Sequence, residues 1–112
     1  MRGAIRVLPA LGIRPFPGGA GRGFIAGPSP NPTRAGAVFR IALPRAGKAR
    51  VEVLDAAGRR VATALGTWLE PGSYAASWSG AGSDGRRVPA GIYLLRLTAP
   101  GVSDARAVVV AP

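Results

Sequence analysis

All side-chain charge in this 112-residue sequence comes from fifteen basic and five acidic residues, with neither histidine nor cysteine present. Without imidazole or thiol, the usual general base, the commonest metal ligand and the thiolate nucleophile are missing. The acids Glu52, Asp55, Glu70, Asp84 and Asp104 are set apart by turns and apolar runs, so their spacing defines no carboxylate pair for acid–base work. A metal site built from them would need several converging oxygens. The residues therefore argue for no catalytic group, no cofactor and no metal, and the chain reads as a non-enzyme.

Arginine is the other chemistry on offer. Every basic residue but Lys48 is Arg, and residues 1–36 carry Arg2, Arg6, Arg14, Arg22 and Arg34 with no acid. A basic balance favours anionic partners. The run Gly-Arg-Arg-Val occurs twice, in "DAAGRRVATAL" at 55–65 and "SDGRRVPAGIYLL" at 83–95. "GGAGRGF" at 18–24 has a loose likeness to arginine-glycine segments that bind RNA, with Phe24 available to stack on a base. One such copy reads better as a flexible tether. No helical DNA-reading motif is visible, and basic residues beyond 36 alternate with acids, so nucleic acid stays a minor alternative.

Glycine, rather than arginine, explains the repeated run. Asp55, Ala56, Ala57 and Gly58 match a type I turn followed by a left-handed glycine, and the return strand then begins with Arg59 and Arg60. Asp84 and Gly85 read as the same hairpin repeated. Glu70-Pro71-Gly72 is a further turn, with Pro at its first corner and Gly at its second.

Between these turns lie short runs with period two. With 17 Gly and 11 Pro punctuating apolar pieces, the sequence predicts six or seven strands from Ala37 onward and one domain. Phe39, Ile41 and Leu43 share a face, as do Val51 with Val53, Val61 with Thr63 and Leu65, and Tyr74 with Ala76 and Trp78. In "GIYLLRLTA", Tyr93, Leu95 and Leu97 face one way and Ile92, Leu94 and Arg96 the other; "ARAVVV" is the last strand. Phe39, Trp78 and Tyr93 are the expected core aromatics. Trp68 stands outside the clean alternation and, with Phe24, is the candidate exposed contact.

Residues 31–110 resemble the immunoglobulin-like domain of FlgD type. The likeness runs through Asn31-Pro32, Leu43-Pro44, Gly47 and Val51-x-Val53 into Asp55, Gly58, Arg59 and Val61. It continues with Pro71-Gly72 and Trp78-Ser79-Gly80, then with Gly85, Val88, Pro89, Gly91 and Tyr93. Members usually carry acids where this chain has Ser79 and Gly82, which implies a looser loop here.

The resemblance implies an antiparallel immunoglobulin-like β-sandwich of about seven strands over 36–112, preceded by an irregular basic Pro/Gly-rich arm or tether over 1–35. Asp55, Gly58, Pro71, Gly72, Gly80, Gly85, Pro89 and Gly91 then serve as structural turns. It also implies a non-catalytic secreted or cell-surface module, similar to C-terminal sorting and anchoring domains of exported bacterial proteins and partnered by export or anchoring machinery. An appendage or filament subunit, or a hook-cap-like scaffold, joined to other copies through the arm is the alternative. The expected location is extracellular or in the cell envelope. No apolar run is long enough to span a bilayer, and Pro9, Arg14 and Pro15 interrupt the signal-like start. Only 30 residues precede Asn31, where family members have a large upstream region. A fragment, a misplaced start and a free-standing form all remain open.

Overall fold

Period-two alternation decides which side chains meet in this chain. The structure, a computed structural model, describes residues 23–112. The signal-like start and the tether up to Arg22 lie outside the described residues. Seven strands form: β1 (Phe24–Ser29), β2 (Ala37–Leu43), β3 (Gly47–Leu54), β4 (Arg60–Leu69), β5 (Gly72–Trp78), β6 (Gly91–Ala99) and β7 (Val102–Val110). They make a three-stranded sheet, β1-β2-β5, and a four-stranded sheet, β4-β3-β6-β7. Every pairing within the sheets is antiparallel, giving an all-β sandwich.

One face of each strand fills the space between the sheets. Phe39, Ile41 and Leu43 of β2 and Tyr74, Ala76 and Trp78 of β5 meet Val51 and Val53 of β3 and Tyr93, Leu95 and Leu97 of β6. Ile25 from β1 and Val108 and Val110 from β7 close one side of this core. Size is matched across the β2–β5 ladder: Phe39 lies opposite Ala76, and Ala37 opposite Trp78. Such large-against-small pairing lets a layer fill without voids.

Strand β4 departs from simple alternation. Val51 pairs with Leu65 but Glu52 with Thr63, and Val53 pairs with Ala62 but Leu54 with Arg60. Ala64 and Val61 are thus two extra residues on β4, each a bulge that reverses the facing of the residues beyond it. Val61, Thr63 and Leu65 consequently do not share a face. The inward set is Ala62, Leu65 and Leu69.

The stretch assigned to the arm contributes to the sandwich from Phe24 onward. β1 covers the outer edge of β2, with Ile25 fully buried. Its outward Ile25 N–H is accepted by Asp104 Oδ2 of β7 at 3.0 Å, and this bond is the first cause holding the Asp104 carboxyl below its usual range. The next segment then crosses to the other sheet. Asn31 uses both ends of its amide on the free edge of β7: Oδ1 accepts from Val109 N–H at 2.9 Å and Nδ2 donates to the Ala107 carbonyl at 3.2 Å. Thr33 continues the clamp, its N–H donating to the Val109 carbonyl and its carbonyl accepting from Ala111 N–H, both at 2.8 Å. β1 becomes the outer strand of its sheet, whereas the β7 edge is covered by the chain itself, which removes one template for pairing with other chains.

Gly36 returns the chain to β2. Its φ is +110°, and a Cβ there would overlap the Trp78 carbonyl oxygen and reach the Ser79 carbonyl carbon at 2.7 Å. Only glycine permits that approach.

Candidate functional site

The turns sort to two poles. The β2–β3, β4–β5 and β6–β7 connections share one; the β3–β4 turn, the β5–β6 loop and residues 30–36 share the other. At the second pole the two arginine runs adopt one backbone pattern. Gly58 N–H donates to the Asp55 carbonyl at 2.9 Å while Asp55 N–H donates to the Arg59 carbonyl at 2.8 Å. Gly85 N–H and the Gly82 carbonyl, then Gly82 N–H and the Arg86 carbonyl, repeat those bonds at 2.9 and 2.8 Å. The first copy joins two long strands. The second is a minor hairpin inside the β5–β6 loop, closed by a bridge between Ala81 and Arg87.

Bracing differs between the copies. Asp55 Oδ1 accepts from Ala57 N–H and Arg59 N–H, each at 2.9 Å, and the Arg59 bond is the main cause keeping the Asp55 carboxyl below its ordinary value. Gly82 stands at the equivalent position and has no carboxylate. Asp84 Oδ1 takes Arg86 N–H at 2.9 Å instead, and Ser83 N–H reaches the Val61 carbonyl at 2.8 Å, tying the loop to β4. Gly80 accepts Val88 N–H at 3.0 Å, and Trp78 Nε1–H donates to the Ala81 carbonyl at 2.9 Å. The loop is therefore held without the two family acids.

Two tyrosines each close a further turn in a common manner. Tyr74 donates its hydroxyl to the Glu70 carbonyl at 2.8 Å across Pro71 and Gly72; Tyr93 donates to the Pro89 carbonyl at 2.6 Å across Gly91. Each hydroxyl reaches four residues back, as in the tyrosine corner of immunoglobulin folds. Burial raises the pKa of both phenols. Trp78 and Tyr93 also touch, ring centroids 6.0 Å apart and tilted by 51°. Phe39, Trp78 and Tyr93 are all buried.

Trp68 and Phe24 are exposed at 49% and 37%, but the fold does not bring them together. Trp68 lies on β4, opposite Lys48; Phe24 begins β1, in the other sheet, whose neighbour across the sandwich is β7. They cannot form one contact surface.

The outer face of the four-stranded sheet carries what sequence reasoning passed over. Ile92 is 58% exposed and lies directly opposite Val109; Leu94 sits between Leu54 and Ala107. These residues form an apolar patch on the half of the face nearer the second pole. The adjoining row is charged. Glu52 is buried and receives Arg96 at 2.9 Å and Arg60 at 3.4 Å, with Arg50 at 4.0 Å. The Arg96 hydrogen bond is the largest cause keeping the Glu52 carboxyl below its ordinary value, against the opposing effect of burial. The alternation in "GIYLLRLTA" already turned Ile92 and Leu94 outward; that their neighbours on β3 and β7 would also be apolar depends on register. Among the described residues, no group of three or more acids converges as a metal site, and no helix is long and apolar enough to cross a membrane.

A family model described as "FlgD Ig-like domain" matches residues 31–102. Among solved structures, the chain is similar to PorZ, an essential bacterial surface component of the type-IX secretion system of Porphyromonas gingivalis, at 25% identity and a TM-score of 0.52. That likeness covers 80% of this chain but 11% of PorZ. No curated protein matches the sequence.

Proposed function

Because the chain belongs to the FlgD Ig-like domain family, we propose that it is a non-catalytic module of a secreted or cell-surface bacterial protein. Export or anchoring machinery recognises it through its folded surface. The observation that carries this reading is the apolar patch of Ile92, Leu94 and Val109. It stands on a sandwich whose core is closed and whose β7 edge is covered, and contiguous exposed apolar side chains of this kind suit recognition by a partner's surface. Similarity to a surface component of a secretion system supports the same location, the cell envelope or exterior.

The test is a fusion of the full chain behind a fluorescent reporter delivered to the periplasm of a bacterium with a type-IX system. Surface display of the wild-type fusion, lost in Ile92→Asp/Leu94→Asp while the melting temperature holds, is the expected outcome. Retention of the wild-type fusion in the periplasm refutes the reading.

A second reading, self-assembly through the arm, has one observation in its favour. β1 is an edge strand joined to β2 by the short segment 30–36, so the same strand pairing could form between copies. Light scattering decides it: a monomeric mass at high protein concentration removes arm exchange.

A further inference from the structure

The two Gly-Arg-Arg-Val turns, 27 positions apart in sequence, line one open groove at the second pole, about 500 Å³ in volume. Arg59 and Arg60 form one bank, Arg86 and Arg87 the other, and Asp84 is its sole acid. Three of the four guanidinium groups are already engaged by another group of the protein. Arg59 pairs with Asp55 at 3.3 Å, Arg60 pairs with Glu52 at 3.4 Å, and Arg87 donates to the Arg34 carbonyl. Arg86 has no such side-chain partner among the described residues. Asp84 is committed to the loop, its Oδ1 accepting Arg86 N–H at 2.9 Å.

We infer that this groove is an oxyanion site for a ligand carrying two or more phosphate groups. Guanidinium forks match phosphate oxygens through paired charge-assisted bonds, and forks already held by a second contact lose less freedom on binding. Four such cations on two turns suit several anionic oxygens better than one carboxylate, and a groove of about 500 Å³ has room for more than one phosphate. Its other walls are Val61, Ser83, Val88 and Pro89, with no aromatic ring on which a base could stack. That favours an oligophosphate, free or on a saccharide or lipid headgroup, over nucleic acid. The inference does not depend on the secretion reading.

The experiment is calorimetric titration of the full chain with inorganic tripolyphosphate at low salt. Saturable one-to-one binding that weakens as salt rises is expected. Arg86→Gln/Arg87→Gln should weaken it at least about tenfold, the scale of losing charged hydrogen bonds. Arg45→Gln/Lys48→Gln, an equal charge change at the opposite pole, should weaken it less than about threefold. Thermal melts check that both doubles remain folded, and Arg59→Gln offers a second probe from the other bank. Absence of saturable binding, or equal losses in the two doubles, overturns the site. Tight binding of oligo-dT that exceeds tripolyphosphate binding and survives Arg86→Gln/Arg87→Gln also overturns it, assigning the affinity to diffuse charge. Flotation with phosphatidylglycerol vesicles, abolished in Arg86→Gln/Arg87→Gln, identifies a lipid source. Tripolyphosphate binding without flotation identifies a soluble one.

Discussion

Gly36 and Gly58 both have positive φ, yet replacement by alanine should cost about twice as much or more at Gly36. At Gly58, φ is +86° and an added Cβ meets nothing within 4 Å. Gly58→Ala therefore carries only the conformational penalty of a left-handed L-residue, about 1–2 kcal/mol. At Gly36 the same penalty is joined by overlap with backbone atoms of Trp78 and Ser79. Those atoms cannot retreat freely, because Trp78 pairs with Ala37 in the β2–β5 ladder and its indole is bonded to the Ala81 carbonyl. Relief must come from shifting a sheet end, roughly 1–3 kcal/mol more by analogy with overpacked cores. Gly36→Ala should thus cost about 2–5 kcal/mol, a large part of the total stability of a small domain.

Urea unfolding followed by tryptophan fluorescence would separate the two. Trp78 is buried and Trp68 half exposed, so the change in signal reports chiefly on the core. Melting temperatures should fall by roughly 4–16 °C for Gly58→Ala and by about twice that or more for Gly36→Ala. Gly58→Asn should recover part of the loss, since Asn tolerates the left-handed region better than Ala. Equal losses at the two positions would refute the reasoning, as they would show that the close approach at Gly36 carries no energetic weight.

Buried polar groups give two further expected outcomes. Tyr93→Phe removes the hydroxyl bonded to the Pro89 carbonyl and should lower stability by about 1 kcal/mol in urea titration, with Tyr74→Phe similar. Glu52, whose ordinary value is 4.5, is held below it by Arg96 first. A lowered folded-state pKa means its contribution is complete above pH 4.5 and is lost as pH falls through the lower folded value. Glu52→Gln should therefore lower stability at pH 7 and flatten the decline of melting temperature below pH 4.5; a decline as steep as wild type assigns it to other carboxylates.

What could be read from the residues was what period two and turn chemistry encode locally. Tyr93, Leu95 and Leu97 alternate without interruption, and Asp55 to Gly58 is a turn by composition alone, so strand facing and hairpin geometry there are local properties. β4 resisted because a bulge adds a residue without any local signature: nothing in "RVATALGTWL" marks Val61 and Ala64 as extra until β3 supplies the register. The same limit hid Glu52. Its surroundings come from β4 and β6 as well as its own strand, so three arginines gather around one carboxylate only after pairing is fixed. β1 was obscured by composition, since Gly27 and Pro28 interrupt a strand that has only Ile25 and Pro28 to bury. The arginine repeat shows a different limit: each copy was legible as a turn, but their convergence on one groove required the sheet order.

The clamp on β7 has a chemical corollary. An asparagine side chain usually ages when the nitrogen of the next peptide attacks its amide, closes a succinimide ring and expels ammonia. Asn31 is followed by Pro32, whose nitrogen bears no hydrogen and cannot complete that ring. Hydrolysis to aspartate would set a negative oxygen against the Ala107 carbonyl where Nδ2 now donates, leaving Thr33 alone to cover the strand. The neighbouring imino acid thus guards this exposed amide against the commonest route of spontaneous decay.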